Sequence, residues 1–459
     1  MIVDTKPYPM MKDSGVPWLE EIPVSWDIRK LRGILRRVTE RNRPELPLLS
    51  VVRERGVIRR DTSSEEDNHN FIPDDLSNYK VVRPGQFAMN KMKAWQGSYG
   101  VSEHEGIVSP AYFVFNLAGV EGRFFHMAIR SRAYVHSFAQ ASDGVRIGQW
   151  DLSEPRMREI PFAIPPLAEQ TAIVRFLDYM DRRIRRYIRA RQKLIKLLEE
   201  QKQAIIHRAV TRGLDPNVRL KPSGVEWLGD VPEHWEISRV KNEFLCLNRR
   251  RVPLSATERG AMTLRRYDYY GASGIIDKVE DYLFDDELLL VAEDGANLVL
   301  RNLPLAIIAR GQFWVNNHAH ILKPRRGRLE YLAAVMERIN YQPWISGAAQ
   351  PKLTQDRLMG IAIAVAPPEE QDRIVRAISE ETAPLSTTIE RARREIDLLR
   401  EYRTRLIADV VTGKLDVREA AARLPQEAED TEPLDEVEDD TDESGAGESN
   451  DVSEEEAEA

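Results

Sequence analysis

Two segments of the sequence combine basic, aromatic and amide side chains in a way that suits contact with nucleic acid. The first, at 90–99, supplies the candidates Lys91, Lys93, Trp95, Gln96 and Tyr99. The second runs into a predicted glycine-rich loop at 269–276 and supplies Arg265, Arg266, Tyr267, Tyr269 and Tyr270. Arg146, in the first half of the chain, and Lys352, in the second, are further basic candidates. Lysine and arginine can neutralise phosphates, whereas arginine and glutamine can form paired hydrogen bonds with base edges. A solvated surface loop explains either segment alone equally well, but their occurrence in both halves of the chain favours binding.

No signature of catalysis or of a resident cofactor accompanies these segments. The sequence lacks a glycine-rich phosphate loop, a dinucleotide fingerprint, the HExxH and GxSxG motifs, and the tetrapeptide of amino-methyltransferases. His318 and His320 could share one face of a strand as a metal pair, although histidines in this arrangement are more often structural. Glu293 and Asp294 precede a glycine and are interpreted as turn residues. We therefore predict a chain without catalytic residues, without a metal site and without a cofactor of its own.

Two long helices are predicted to position the segments. Apolar residues recur in steps of three and four along 165–213 and 366–413, which is the pattern of helices that pack on one another. The predicted seam comprises Ile173, Leu177, Ile184, Leu194, Leu198 and Ile205, then Ile374, Ile378, Leu385, Ile389, Ile396, Leu399 and Leu406, and Tyr187 is placed with them. About 40 helical residues at ~1.5 Å each span roughly 60 Å, so each helix needs a partner. Pro384 is expected to kink or interrupt the second helix.

The chain contains an internal repeat. A shift of 201 residues places Gln170 on Gln371 within the helical stretches, and a shift of 209 places Trp26 on Trp235 near the start of each half. The middles, about 40–148 and 249–349, do not align by eye. We therefore predict a duplicated unit with a fixed start, a variable globular middle and a fixed long helix.

Charge is distributed unevenly along the 459 residues. The formal net charge is −8, but residues 424–459 contain 17 acidic and no basic residues. Residues 1–423 therefore carry 66 basic against 57 acidic residues, a net charge of +9. Such an excess favours a polyanionic partner, although many globular domains carry a modest positive charge. Residues 418–459 are predicted to be a disordered acidic tail, because they contain too few large apolar residues to form a core.

The remaining composition points to a cytoplasmic protein. A single cysteine, Cys246, excludes an intramolecular disulfide and suits a reducing compartment. The start of the chain lacks the apolar region of a signal peptide, and no apolar run is long enough to span a membrane.

Several motifs, in duplicated order, resemble the specificity subunit of type I restriction–modification systems. They are PPLAEQ at 165–170 and APPEEQ at 366–371, SGVPWL at 14–19 and SGVEWL at 223–228, NKMKAWQG at 90–97, SPAY at 109–112, YGASGII at 270–276, EDGAN at 293–297, NNHAHIL at 316–322 and AAQPKLTQ at 348–355. The resemblance covers nearly the whole chain except the tail, and no single motif in it is diagnostic. Pro384 and the acidic tail depart from the family pattern.

The resemblance implies an α+β fold with a pseudo-twofold internal repeat. Two mixed α/β target recognition domains, 1–164 and 214–365, would each read one half of a bipartite asymmetric DNA site. Two antiparallel helices, 165–213 and 366–413, would form a coiled-coil spacer between them.

The resemblance also implies the partners of the chain. They are double-stranded DNA, two methyltransferase subunits and restriction subunits, which would supply the S-adenosylmethionine, ATP and Mg²⁺ chemistry of adenine methylation and cleavage. Two other interpretations stay open from the sequence: a coiled-coil scaffold that does not bind DNA, and a self-contained DNA-modifying enzyme. The missing catalytic motifs argue against the enzyme, and the basic excess argues against the scaffold.

Overall fold

Two compact units make up the chain. The computed structural model describes residues 5–53, 55–60, 73, 75–146, 149–347 and 351–425. The first unit comprises Met1–Arg182 with Arg403–Ala459, and the second comprises Arg183–Tyr402. Both contain helices and sheets, which confirms the α+β prediction. The unit boundaries differ from the predicted domain boundaries, because each long helix begins in one unit and ends in the other.

The first unit is built on a four-stranded antiparallel sheet in the order Leu35–Val38, Tyr112–Leu117, Phe87–Asn90 and Tyr99–Val101. Its centre is aromatic: the Phe87 and Phe125 rings meet edge to face at 5.2 Å. The other strands are Met11–Asp13, Glu21–Pro23, Asp27–Lys30, Leu49–Val52, Gly56–Arg59, Lys80–Val82, Gly106–Val108, Ser142–Arg146, Gln149–Leu152 and Pro161–Ile164. The short helices are Leu31–Ile34, Ala94–Gln96, Gly122–Ile129, Arg132–Gln140, Glu154–Arg158 and Arg418–Ala422.

A six-stranded sheet organises the second unit, in the order Phe244–Cys246, Ala319–Pro324, Phe284–Ala292, Ala306–Val315, Tyr267–Gly271 and Gly274–Val279. The apolar run at the end of the central strand is buried on both faces: Leu289 and Val291 pack among helices, whereas Leu288 packs within the sheet's other face. The other strands are Leu220–Pro222, Asp230–Pro232, Glu236–Arg239, Ile345–Ser346, Lys352–Leu353 and Ala362–Val365. The short helices are Val240–Glu243, Asn248–Arg250, Ala256–Ala261, Asn297–Leu300, Leu329–Arg338, Gln342–Trp344 and Gln355–Gly360.

The predicted glycine-rich loop at 269–276 is wrong. These residues belong to the antiparallel hairpin of Tyr267–Gly271 and Gly274–Val279, whose first strand also pairs in parallel with Ala306–Val315. Long-range pairing with a strand some 40 residues later outweighs the local preference of glycine for loops.

The long helices run over Leu167–Arg212 and Pro368–Val411, and each is followed by a glycine with a positive φ, +73° at Gly213 and +79° at Gly413. Glycine is favoured there because left-handed backbone conformations are strained for other residues. The expected interruption at Pro384 is wrong, since the helix continues through it. Proline has no backbone N–H, so the Glu380 carbonyl, four residues earlier, loses its helical hydrogen bond. Pro384 and Glu380 are both exposed, so water can bind that carbonyl while the apolar side of the helix stays packed.

The two helices pack antiparallel within the second unit. Arg191 pairs with Glu395 at 2.7 Å, and further along the first helix Lys202 donates to Ser386 at 2.9 Å. Ile184, Ile188 and Ile396 form an apolar cluster beside these contacts. The thirteen predicted seam residues are all buried or half-buried. Tyr187, however, is 49% exposed, because Ile188 takes the inward position.

Each long helix is anchored to its unit by the same contacts. The Trp26 indole donates to Glu169 Oε1 at 2.8 Å in the first unit, and the Trp235 indole donates to Glu370 Oε2 at 3.1 Å in the second. Both tryptophans are almost completely buried. The duplicated Glu-Gln and Trp motifs are therefore used in the same way twice.

The glutamine that follows each of these glutamates also makes matching contacts. Gln170 accepts from the Glu121 backbone N–H at 2.7 Å and donates to the Pro165 carbonyl at 2.8 Å. Gln371 accepts from the Arg328 N–H and donates to the Ala366 carbonyl, both at 2.8 Å. Each glutamine thus ties the start of a long helix to a loop of the globular part.

Part of the predicted tail is folded. Residues 418–425 belong to the first unit, with Arg418–Ala422 helical and Ala421 buried. Arg418 pairs with Asp416 at 2.6 Å and lies over the Tyr8 ring at 5.2 Å. The prediction of disorder from residue 418 is therefore wrong for this stretch, while 426–459 lie outside the described residues. Within the described part of the chain, no helix combines the length and apolarity needed to cross a membrane.

Candidate nucleic-acid interface

The motif segments of the second unit meet in space. The Glu293 N–H donates to the His318 carbonyl at 2.9 Å, and the Leu353 N–H donates to the Glu293 carbonyl at 2.8 Å. The Asn316 N–H donates to the Tyr270 carbonyl at 3.0 Å, which adds the hairpin to this group. We call the segments 293–297, 316–318 and 351–353 the second-unit strand-end cluster.

An equivalent group forms in the first unit from 90–97, 109–112 and 149–152, here called the first-unit strand-end cluster. The Leu152 N–H donates to the Lys91 carbonyl at 3.2 Å, the counterpart of the Leu353 bond in the second unit. Asn90 donates to the Tyr112 hydroxyl at 3.2 Å, and the Trp95 and Trp150 rings lie 5.3 Å apart. Segments distant in sequence are thus joined by the same backbone bond in both units.

The structure places the first set of predicted contact residues in different environments. Lys93 is exposed, and Gln96 and Trp95 are half-buried. Lys91 is engaged in an ion pair with Asp151. The Arg146 side chain lies outside the described residues.

The assignment of Tyr99 to the contact surface is wrong. Its ring is fully buried against Phe138 at 4.4 Å, and its hydroxyl donates to the Ile129 carbonyl at 3.2 Å. Tyr99 begins the strand that pairs with Phe87–Asn90, and this pairing turns its side chain into the aromatic core.

The second set of predicted residues is divided along one strand. Arg265 pairs with Asp277 at 3.1 Å, and Arg266 lies over the Tyr267 ring at 5.4 Å. The two arginines directly precede the strand Tyr267–Gly271, and Tyr267 begins it. Tyr270 lies near its other end, about 10 Å from Tyr267 at ~3.3 Å per residue.

Only the far end of this strand adjoins the second-unit strand-end cluster. Tyr270 packs on Phe313 at 5.6 Å. Lys352 is exposed, within 3.5 Å of Glu293. Tyr269 is buried, with its hydroxyl 3.1 Å from the Leu254 N–H, so it does not belong to the surface.

Arg251 contacts this cluster, and sequence reasoning missed it. Its Nη1 lies 2.5 Å from Glu293 Oε2 and donates to the Asn317 and Ala319 carbonyls at 3.1 and 3.0 Å. Burial raises the pKa of Glu293, but the hydrogen bond from Arg251, with the nearby Lys352, brings that pKa below its usual range. The ionised carboxylate therefore holds two cations and fixes the loop between them. Nothing local in the sequence links Arg251 to residues more than 40 positions later.

The two histidines considered as a metal pair have other roles. His320 is fully buried, with Nδ1 2.8 Å from the Asn248 amide and Nε2 2.7 Å from the Leu353 carbonyl. Burial lowers the pKa of His320, so its ring is neutral at pH 7 and both nitrogens serve the core. His318 is exposed and pairs with Asp294 at 2.8 Å. Among the described residues, no three His, Cys, Asp or Glu side chains are placed to hold a metal ion.

His126 and Arg130 hold the strand Tyr99–Val101, which follows the segment 90–97 of the first-unit strand-end cluster. The Val101 N–H donates to His126 Nδ1 at 3.1 Å, and Arg130 donates to the Tyr99 carbonyl at 2.7 Å. Burial and the neighbouring Arg130 charge lower the pKa of His126 to about 4. A neutral acceptor and a charged donor thus hold the strand Tyr99–Val101 that follows the loop at 90–97.

Comparison with known proteins matches part of the chain to a family model. The family model described as the type I restriction modification DNA specificity domain matches residues 232–397, which include the whole second-unit strand-end cluster. Residues 232–397 are thus similar to the type I specificity family. The resemblance seen in the sequence is thereby confirmed.

Two proteins that carry the name of a type I specificity subunit are similar to parts of this chain. A Haemophilus influenzae protein named as a type I restriction enzyme specificity subunit is 31% identical over 166 residues, which cover 36% of this chain and 39% of the relative. The MjaVIII specificity subunit of Methanocaldococcus jannaschii is 23% identical over 278 residues, 56% of this chain and 63% of the relative. The matched stretches thus span less than two thirds of these relatives.

A likeness of fold to one solved chain extends over most of this chain. A solved chain from a structural study of the assembly and conformational transition of the type I R-M system superposes with a TM-score of 0.59. The superposition covers 85% of this chain and 98% of that one at 16% identity, which supports a shared fold.

Proposed function

We propose that this chain is the DNA sequence-recognition subunit of a type I restriction–modification complex, and that each unit reads one half of a bipartite asymmetric site. The observation that carries this proposal is the pair of strand-end clusters. The same backbone bond, Leu152 to Lys91 and Leu353 to Glu293, supports loops of different sequence in the two units. A common framework with different side chains suits the recognition of two different half-sites.

The two long helices serve in this proposal as a coiled-coil spacer in a pseudo-twofold repeat. Helices of 46 and 44 residues span about 69 and 66 Å at ~1.5 Å per residue. Successive major grooves on one side of B-DNA are about 34–36 Å apart, so helices of this length are sufficient to separate two recognition modules. The antiparallel contacts, such as that between Arg191 and Glu395, support a rigid spacer.

The chain has no catalytic role or cofactor in this proposal. Two methyltransferase subunits dock on it and use S-adenosylmethionine to methylate adenine. Restriction subunits, with ATP and Mg²⁺, cleave unmodified DNA in the complete assembly. The complex acts on DNA in the cytoplasm. A basic excess in residues 1–423 supports DNA binding over a scaffold role.

Mapping methylated adenines tests the proposal. Gln96 in the first unit is half-buried and Asn317 in the second is exposed, and both amides belong to strand-end clusters. With methyltransferase subunits present, we expect an asymmetric bipartite target. We expect Gln96→Ala to relax one half-site and Asn317→Ala the other, since a paired amide–adenine contact contributes about 1–3 kcal/mol of discrimination.

Three results would count against the proposal. Methyl transfer by the purified chain alone would support the enzyme interpretation. Absence of salt-dependent DNA retention would support the scaffold. A single substitution that altered both half-sites would contradict the assignment of one half-site to each unit.

A further inference from the structure

The outer side of the first long helix carries a stripe of positive charge. Basic residues recur there in steps of four, three, four and three, so they lie on one side of the helix. This basic face consists of Arg182, Arg186, Arg189, Lys193 and Lys196. It lies opposite the buried Ile184 and Ile188, and four of its members are exposed while Arg189 is half-buried.

The basic face is not used in packing between the helices. The helix-to-helix ion pairs involve other residues, such as Arg191 with Glu395 and Arg208 with Glu381. In the part of the chain that the structure describes, none of the five residues of the basic face has an acidic side chain within ion-pairing distance. These charges are therefore available to a partner.

The internal repeat shows that the basic face is not a general requirement of a spacer helix. A shift of 201 residues leads from the basic face to Ala383, Thr387, Glu390, Arg394 and Asp397. The five positions thus carry a charge of +5 in the first helix and −1 in the second. Whatever both helices do in common cannot depend on the stripe, so its partner is specific to the first helix.

Leu424 and Pro425, which directly precede the acidic sequence, lie near the start of this stripe. Arg175, two turns before Arg182 on the same side of the helix, donates to the Leu424 carbonyl at 2.9 Å and to the Pro425 carbonyl at 3.3 Å. Residues 426–459 follow directly and contain 17 acidic and no basic residues. The acidic sequence 426–459 therefore begins about two helical turns from the start of the basic face.

Length and charge of this segment match the basic face. From Arg175 to Lys196 the helix rises about 32 Å at ~1.5 Å per residue. Residues 426–440 alone contain nine acidic residues and can extend to about 50 Å at ~3.3 Å per residue. A segment joined to the protein so close to its binding surface has an effective concentration of the order of millimolar, which favours association even when each contact is weak.

We propose that residues 426–459 bind along the basic face and prevent it from binding the nucleic-acid backbone. An uncovered stripe of five positive charges would attract any duplex regardless of sequence. A covering polyanion removes this attraction and leaves the strand-end clusters to determine which DNA is bound. This role goes beyond the proposed function and depends on it only in that the competing ligand is DNA.

Carbodiimide cross-linking of the full chain tests the contact without DNA. The reagent joins lysine amines directly to adjacent carboxylates, so Lys193 and Lys196 should form amides with acidic residues of 426–459. The yield should fall as salt is raised, because the contact is electrostatic. Lys241, an exposed lysine on a different helix, is the control. No cross-links at Lys193 and Lys196, or an equal yield at Lys241, would overturn the proposal.

DNA binding tests the consequence of the contact. A tail that covers the basic face nine tenths of the time reduces its apparent affinity for DNA about tenfold. Ending the chain after Pro425 should therefore strengthen binding to a duplex without the target site by about tenfold. R182Q/R186Q/R189Q should remove this gain. R373Q/R376Q/R394Q, which removes the same charge from the second helix, should preserve it.

Each alternative result contradicts the proposal. Equal binding by the full and shortened chains would show that the tail does not compete with DNA. A gain that survives R182Q/R186Q/R189Q would place the competition elsewhere. A gain lost in both triple variants would indicate a general charge effect. Failure of all forms to bind DNA would refute the proposed function, whereas the cross-links would still report on the tail.

Discussion

Replacing Lys93 by alanine should remove one phosphate contact from the first-unit strand-end cluster. Lys93 is exposed and, among the described residues, has no acidic side chain within ion-pairing distance. Lys91, two positions earlier, is paired with Asp151 on the neighbouring strand. The two lysines are thus a matched pair in one loop, and only one of them is available to DNA.

The expected magnitude follows from counterion release. Each neutralised phosphate contributes about 0.9 to the slope of log affinity against log salt. Between about 50 and about 200 mM salt, the wild-type chain should therefore lose about 3.5-fold more affinity than Lys93→Ala. Lys91→Ala should change this slope less, because its charge is already partly compensated by Asp151. Loss of such an exposed pair costs only ~0–1 kcal/mol of stability.

The assay is fluorescence anisotropy of a labelled target duplex, titrated with the full chain and its methyltransferase subunits over a series of salt concentrations. Circular dichroism on heating controls for folding. An unchanged slope for Lys93→Ala would show that this lysine does not contact phosphate. A larger change for Lys91→Ala than for Lys93→Ala would refute the inference from ion pairing.

Three further outcomes are expected. Gly413→Ala should destabilise the chain by about 2–5 kcal/mol in urea unfolding, because φ is +79° and the new Cβ would lie well under 3.0 Å from Pro23. Gly224→Ala, with φ +70° and nothing within 4 Å, should show only the backbone strain of about 1–2 kcal/mol, and equal losses would contradict the steric argument. The pKa of His126 is lowered from its ordinary value of 6.5 to about 4 in the folded state. Between these two values the unfolded chain binds a proton at His126 and the folded chain does not. Stability should therefore be full above pH 6.5 and fall by about 2 kcal/mol from neutral pH to pH 5, a decline that His126→Asn should remove. Removal of residues 426–459 should leave the methylated sequence unchanged, and an altered target would place part of the recognition in the tail.

Local patterns were sufficient to predict the long helices and to find the family resemblance. Spacing of three and four residues defines which side of a helix is apolar, and this is a property of neighbouring residues alone. The predicted stretch at 165–213 accordingly differs by at most two residues at each end from the observed Leu167–Arg212. The duplicated Trp and Glu-Gln motifs could be paired by counting, and the same contacts occur at Trp26 and Trp235.

At Pro384 and Tyr187 the local rules gave wrong predictions, because packing against other parts of the protein decided the outcome. Proline lowers the stability of one turn, but packing along the opposite side carries the second helix through it. Tyr187 satisfied the spacing rule as well as Ile188, and only the neighbouring helix selected the isoleucine.

By itself, then, the sequence indicated an α+β protein with a repeated pattern of motifs, two amphipathic helices, a basic excess in residues 1–423, an acidic stretch after them and a resemblance to one family. Tertiary structure decided which candidates share a surface. It buried Tyr99, separated Arg266 from Lys352, and brought Arg251 to Glu293. The physical reason is that strand pairing joins residues distant in the chain, and the register of that pairing determines which side chains face the core.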